Sequence, residues 1–375
     1  MSVDLSLEPI KGVSNSFSHV FTADMIVRMF GQAIGPVFGG IISQYLGYHA
    51  IFWFLFGGGA VALLILVVFL PETLRPIAGN GSICLKGIHR PLYYRFTPSE
   101  EHLIEYNLPL KKNFRLSMIF TPFQLLLEKD VFTIIVFGSV VYGIWSMVTS
   151  STTALFQTRF GLSDLQVGLI FLPNGIASMV GSYVTGKHSK HDWAVMECRY
   201  REEKGIPPST VLLKKDLVDF PFGRTRLRSI WWLLPIFIVS TALYGFSLQL
   251  NRLAVPLVAQ FFISYTANSI FALNSTLVVD LFPRASASAT AVNNLVRCLV
   301  GAGGVAIVQV IIDAIGAGPT FAMWAGIISL LTPLLVLQWR NGTRWAIERN
   351  ERNAAKEREK ARRDVEKIEV IELPT

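Results

Sequence analysis

The stretch GQAIGPVFGG, from Gly31 to Gly40, lies inside a long apolar run of the sequence. Gly31, Gly35 and Gly39 are four residues apart, so on a helix they form one ridge of small residues that lets a neighbouring backbone approach closely. Pro36 removes one backbone donor and favours a bend at this ridge. Because each glycine costs about 1 kcal/mol relative to alanine in a soluble helix, the pattern favours a close-packed membrane helix.

The composition supports the same interpretation. The chain is 51% hydrophobic and only 16% charged, whereas soluble domains carry roughly a quarter charged residues. The net charge of +8 does not indicate a nucleic-acid partner, because the basic residues lie between the apolar runs and after the last one. The first twenty residues contain no continuous apolar core of the kind that a signal peptide has. Three widely spaced cysteines, Cys84, Cys198 and Cys298, form neither a disulfide framework nor a metal-binding pattern.

Eight segments are long and apolar enough to cross the hydrocarbon core of a membrane, which takes about 20 helical residues. Their predicted limits are 25–46, 51–71, 131–156, 166–186, 229–249, 254–279, 289–312 and 319–338.

The links between these segments differ sharply in charge. The short links near 47–50, 157–165, 250–253 and 313–318 contain only two basic residues, Arg159 and Arg252. The long links 72–130 and 187–228 and the tail after 338 contain 28. The positive-inside rule therefore predicts that the long links and the tail are cytoplasmic. With eight crossings, both termini are then cytoplasmic.

Several motifs together resemble those of fungal drug:proton antiporters of the major facilitator superfamily. The fifth-helix signature of that family matches Gly31, Gly35, Pro36, Gly39 and Gly40. The stretches LPETLR (70–75), FGLSDLQVGLIFLPNGIASMVGSYVTGK (160–187), DFPFGRTRLR (219–228) and DLFPRASASATAVNNLVRCLVGAGGVA (280–306) resemble later parts of it. The combination is closest to the branch of quinidine-, polyamine- and dityrosine-type exporters. Since that family has twelve helices, the resemblance implies an all-α integral membrane protein, with an N-terminally truncated major facilitator fold of about eight transmembrane helices.

This resemblance also implies a domain organisation. Residues 1–71 are expected to be a remnant of the N-terminal bundle with two helices, followed by a cytoplasmic central loop at 72–130. Residues 131–338 are expected to form the C-terminal six-helix bundle with a cytoplasmic loop at 187–228, and 339–375 a charged cytoplasmic tail. The family motifs of the first and fourth helices, which carry a proton-coupling acid and a functional arginine, have no counterpart here.

Polar residues at helical spacing mark candidate functional faces on three predicted spans. Such residues must face protein or water rather than lipid. Two interpretations remain open, a substrate path and ordinary hydrogen bonding between helices. The candidate path residues are Tyr142, Ser146, Thr149, Gln260, Asn268 and Asn294.

Arg297 is the one charged residue well inside a predicted span. A central arginine costs at least about 2.5–3.5 kcal/mol on insertion scales, so a partner or a position near the interface is expected. It could contact substrate, form a cytoplasmic gate with Asp280, or extend its side chain to the cytoplasmic interface. Gly186 and Lys187 match a cytoplasmic loop motif of the family, but Lys190 stands where that motif has an acid. His188 and His191 lack further ligands at suitable spacing, so no metal site is predicted.

The resemblance implies a transporter that exports small organic or cationic compounds, of the multidrug type, by alternating access coupled to protons. No phosphate-binding loop or catalytic motif is present, so neither an enzyme nor a cofactor is predicted. The implied partners are a small-molecule substrate, protons and the lipid bilayer, and the complete form is expected to be monomeric. The plasma membrane is the expected location and the vacuolar membrane the alternative. A truncated, non-transporting or regulatory membrane protein is the other interpretation.

Overall fold

The regular structure of the described residues is helical throughout. The computed structural model describes residues 31–70, 121–207, 220–250, 252–282 and 285–372. Seven helices in these ranges are long and apolar enough to cross a membrane. The predicted all-α integral membrane protein is therefore confirmed. The first predicted span, 25–46, lies partly outside the described residues, and its remainder is helical.

Nine helices and one short 3₁₀ turn make up the described part of the chain. The 3₁₀ turn, Thr121–Leu127, precedes α3. The helices are α1 (31–46), α2 (Tyr48–Phe69), α3 (Lys129–Phe160), α4 (Asp164–Lys204), α5 (Phe222–Leu227), α6 (Ile230–Ser247), α7 (Ala254–Leu281), α8 (Ser286–Ile315) and α9 (Ala317–Glu372).

The chain divides into two compact units. One comprises residues 1–38 and 117–375, and the other residues 39–116. In the first unit, α8 packs on α3, α7 packs on α4 and α6, and α9 packs on α6 and α3. These six long helices share an apolar core. In the second unit, α2 has no buried residue, which suits a helix of apolar side chains in contact with lipid.

Glycines set the close packing of these helices. A Cβ atom added at Gly301 of α8 would lie 3.0 Å from Cε1 of Tyr142 on α3. One added at Gly181 of α4 would lie 2.7 Å from the carbonyl oxygen of Tyr265 on α7. The missing side chains leave room for the ring of Tyr142 and for the backbone of Tyr265, and small residues commonly serve such packing in membrane helices.

Helix α1, which contains the stretch Gly31 to Gly40, also packs closely at glycines, but these glycines belong to its partner helix, α4. A Cβ atom added at Gly175 of α4 would lie 2.2 Å from Cβ of Ala33, and one added at Gly168 would lie 2.7 Å from the carbonyl oxygen of Pro36. Within the described part of the chain, a Cβ atom would meet nothing within 4 Å at the motif positions Gly31, Gly35 and Gly39. The ridge predicted for close approach is therefore not the face of α1 that contacts α4.

The link predicted at 187–228 begins as helix, because α4 continues to Lys204. Helix α4 starts at a capping box formed by Ser163 and Gln166. It ends at Gly205, whose φ of 64° is readily adopted only by glycine. The charged tail is likewise helical, since α9 continues to Glu372.

Candidate functional site at Arg297

Arg297 of α8 lies against two aromatic rings from two other helices. Its guanidinium carbon is 4.5 Å from the ring centroid of Tyr142 on α3 and 4.0 Å from that of Phe271 on α7. Both distances are within the range of cation–π attraction. Its Nε atom is buried and has no hydrogen-bond partner among the described residues. The aromatic rings thus hold the cation in place while part of its hydrogen-bonding capacity remains unused.

Each of α3, α7 and α8 carries polar side chains within about two helical turns of the residues that hold this cation. Ser146 lies one helical turn after Tyr142 on α3. Its hydroxyl oxygen would be 3.5 Å from a Cβ atom added at Gly301 of α8. Trp145 donates from Nε1 to the hydroxyl of Ser264, at 3.3 Å. Asn294, three residues before Arg297, is half-buried. The junction of α3, α7 and α8 is therefore polar on all three helices.

The predicted path residues do not all lie on one accessible surface. Tyr142, Ser146 and Asn294 are half-buried, and Tyr142 contacts Arg297. Asn268 donates to Ser178 on α4 at 2.7 Å, and so links two helices.

Two further predicted path residues also form hydrogen bonds within the bundle. Thr149 donates to the carbonyl of Trp145 on its own helix at 2.9 Å. Gln260 is fully buried and donates to Thr152 on α3 at 3.4 Å. In this conformation neighbouring residues cover the side chain of Gln260.

Asp280 forms an ion pair with Arg226, and the pairing with Arg297 considered from the sequence is not observed. Nε of Arg226 lies 2.9 Å from Oδ2 of Asp280, and both residues are buried. Arg297 is instead stacked on Phe271, which precedes Asp280 by nine residues and so lies about 13 Å away along α7. Arg226 also donates to Ser189 of α4, so this cluster ties α4, α5 and α7 together.

The loop-motif residues Gly186 and Lys187 are exposed and lie outside this cluster. Nζ of Lys187 lies 4.8 Å from the ring centroid of Tyr183, one turn earlier on α4. The acid that joins α4 to the start of α6 is Asp192, which accepts from the hydroxyl of Ser229 at 3.1 Å. The motif position at 190, where the sequence lacks an acid, is therefore not needed for this contact.

A second buried ion pair was missed by sequence reasoning. Arg349 of α9 pairs with Asp130 at the start of α3 and donates to the carbonyl of Leu281 at the end of α7. Asp130 and Asp280 each lie one residue outside a predicted span. An acidic residue in that position was the only feature of the sequence that could have indicated these two ion pairs. We call the end of the bundle where Asp130, Asp280 and Arg349 lie the Asp280 end.

Comparison with known proteins identifies the class. Residues 19–305 match the model of the Major Facilitator Superfamily, and the chain belongs to that superfamily. It is 52% identical over 332 residues to "Citrate exporter 1" of Aspergillus niger, covering 88% of this chain and 63% of that protein.

Two more distant relatives carry related names. "MFS-type transporter clz19" of Cochliobolus lunatus is 32% identical over 327 residues, covering 86% of this chain and 61% of that protein. "MFS antiporter QDR2" of Candida albicans is 28% identical over 319 residues, covering 84% of this chain and 62% of that protein. The chain thus spans less than two thirds of the length of these three relatives.

Proposed function

We propose that this protein is a secondary transporter that exports small organic polycarboxylates of the citrate class. The observation that carries the proposal is the cation at Arg297, stacked on Tyr142 and Phe271 with its Nε unpaired by any described residue. The name of the A. niger relative, which shares 52% identity, supplies the substrate class.

The charge inside the bundle favours an anion as the substrate. The six predicted spans of the C-terminal bundle contain one charged side chain, Arg297, and no Asp or Glu. A cation in a membrane interior is stabilised by a partner of opposite charge. A substrate carboxylate would provide that partner through charge-assisted hydrogen bonds, which are about twice as strong as neutral ones. An organic cation would meet only the positive potential of Arg297.

Export of cationic compounds of the multidrug type is the second candidate. It is supported by the resemblance of Gly31–Gly40 to the antiporter signature and by the 28% identity with the antiporter QDR2. The aromatic rings of Tyr142 and Phe271 would suit an organic cation if Arg297 moved away from them. The two candidates therefore predict opposite effects of removing the charge of Arg297.

We further propose that proton movement into the cell drives export. The support for proton coupling is the antiporter-type motif between Gly31 and Gly40. The carboxylates of Asp130 and Asp280 do not add to this support, because both form ion pairs with arginines. We place the Asp280 end, the long links and both termini in the cytoplasm from the charge of the links. The plasma membrane is the proposed location, with the vacuolar membrane as the alternative.

Transport into inside-out membrane vesicles from yeast expressing the protein tests the proposal. An acidic lumen should drive uptake of radiolabelled citrate, and a protonophore should abolish it. Arg297→Gln should lower citrate uptake about tenfold or more, because loss of one partner of a buried charge pair costs at least about 2 kcal/mol. Arg159→Gln, which removes an exposed arginine at the end of α3, should leave uptake unchanged.

Three results would count against the proposal. Citrate uptake equal to that of vesicles without the protein would overturn it. Uptake of quinidine that Arg297→Gln increases would favour the multidrug candidate. Absence of any driven uptake would favour the non-transporting alternative.

A further inference from the structure

Asn274 of α7 has a buried side-chain amide that forms no hydrogen bond with the described residues. Its exposed fraction is 2%, and neither Nδ2 nor Oδ1 has a hydrogen-bond partner within the described ranges. A buried polar group without a partner is unfavourable, because it has lost its hydrogen bonds with water. The amide of Asn274 is therefore well suited to a ligand that offers both an acceptor and a donor.

The position of Asn274 is set by Gly138 of α3. A Cβ atom added at Gly138 would lie 2.5 Å from Nδ2 of Asn274, so the glycine leaves the space that the amide occupies. Asn274 follows Phe271 by three residues, and Gly138 precedes Tyr142 by four. Both residues therefore lie one helical turn, about 5.4 Å, from the aromatic rings that hold Arg297, toward the Asp280 end.

The third helix contributes to the same layer. Asn293 of α8 precedes Arg297 by four residues and donates to Ser275 of α7 at 3.4 Å. The bundle thus contains two successive polar layers built from α3, α7 and α8. The first contains the guanidinium of Arg297, and the second contains the unpaired amide of Asn274 beside the pair of Asn293 and Ser275.

We propose that Asn274 is a specificity-determining residue that binds a second carboxylate and a hydroxyl group of the exported anion. This proposal rests on the proposed function, with one carboxylate at Arg297. Nδ2 would donate to another carboxylate one turn away, and Oδ1 would accept from the hydroxyl group. The separation of the layers suits a short hydroxy-polycarboxylate, whereas a monocarboxylate reaches only one layer.

Competition in the vesicle assay tests this role. Three unlabelled compounds would each compete with radiolabelled citrate: citrate itself, tricarballylate, which has the same three carboxylates without the hydroxyl, and acetate, which has a single carboxylate. Asn274→Leu removes both hydrogen-bonding atoms, so the concentration of citrate needed for half inhibition should rise about tenfold. Asn274→Ser keeps a hydroxyl that can accept from the substrate hydroxyl, so it should retain part of the preference for citrate over tricarballylate.

Two further variants separate this role from a structural one. Gly138→Ala would displace the amide and should reduce the preference for citrate over tricarballylate as Asn274→Leu does. Thr276→Ala removes a hydroxyl of α7 that already donates to the carbonyl of Ala272 on the same helix at 2.8 Å, and should leave the preference unchanged. Protein amount and thermal unfolding, measured for each variant, show whether lower uptake reflects loss of folded protein.

The outcomes distinguish this inference from the proposed function. If the wild type transports citrate and Asn274→Leu keeps the same preference for citrate over tricarballylate, the role of Asn274 is wrong and the proposed function stands. If Asn274→Leu weakens competition by citrate, tricarballylate and acetate equally, its role is structural and the inference is again wrong. If the wild type transports no carboxylate at all, the proposed function is wrong, and the inference with it.

Discussion

Two kinds of arginine in the bundle have different surroundings. Arg226 and Arg349 each pair with a buried carboxylate and also lie over an aromatic ring. Arg297 lies over the rings of Tyr142 and Phe271 and pairs with no carboxylate among the described residues. The first two neutralise carboxylates at the helix ends and so stabilise the Asp280 end. The third keeps a positive charge between three helices, and this difference underlies the anion proposal.

Sequence reasoning found Arg297 because a charge within an apolar span is conspicuous. It could not find what contacts the guanidinium, since the relative register of α3, α7 and α8 is not encoded in any local pattern. The same limit explains why Arg297, and not Arg226, was considered as a partner of Asp280. Arg226 lies in the quoted stretch DFPFGRTRLR, but only the folded position of α5 brings it to Asp280.

The ion pair of Arg226 and Asp280 gives a stability prediction. Asp280→Asn leaves the buried guanidinium without its counter-charge and should lower the free energy of unfolding by about 3 kcal/mol. Replacing both residues by leucine should restore much of this loss, because neither buried charge remains. Thermal unfolding in detergent, followed by tryptophan fluorescence, measures both variants.

Arg228→Gln is the matched control for this pair, because its side chain is 57% exposed and lies 3.6 Å from Asp192. It should change stability by less than about 1 kcal/mol. If Asp280→Asn and Arg228→Gln have equal effects, the pair does not stabilise this end of the bundle.

At the scale of the helices, the sequence predicted the apolar cores well and the ends of two helices poorly. The apolar pattern stops near residue 186 in α4 and near 338 in α9, because it reports only where lipid begins and ends. Both helices continue in charged sequence, to Lys204 and Glu372 respectively. Hydropathy therefore located the spans, whereas the capping geometry at Gly205 determines where α4 ends.

The packing of α6 on α9 depends on Gly245. A Cβ atom there would lie 2.6 Å from the carbonyl oxygen of Ala317 and 3.0 Å from that of Gly318. Because both neighbours are backbone atoms, Gly245→Ala should separate the helices and cost about 1–3 kcal/mol of stability. Gly326→Ala on α9 is the control, since no described atom lies within 4 Å of its Cβ position. Equal unfolding temperatures for the two variants would contradict the close approach.

At the scale of the whole molecule, the charge asymmetry between long and short links gives an orientation. The rule counts charges near the ends of spans, and 18 of the 28 basic residues counted lie in the two long links, 72–130 and 187–228. The family and the helical bundle could be predicted because hydrophobic periodicity and glycine motifs are local. The substrate could not, since it depends on side chains from three helices that meet only after folding.

The orientation is testable with tags at the two termini. Both tags should be protected from protease added outside intact cells, and both should become accessible after the cells are permeabilised. The physical reason is that 28 basic residues lie in the long links and the tail, against two in the short links. Cleavage of either tag in intact cells would show that the assigned orientation is wrong.

Direct binding of citrate to the purified protein tests the central claim, that Arg297 forms an anion site, most directly. Isothermal titration in detergent should give a saturable signal for citrate with the wild type. The dissociation constant should rise about tenfold or more for Arg297→Gln and stay unchanged for Arg159→Gln. Citrate binding that is equally strong in Arg297→Gln, or a wild-type protein that binds no citrate, would contradict the account.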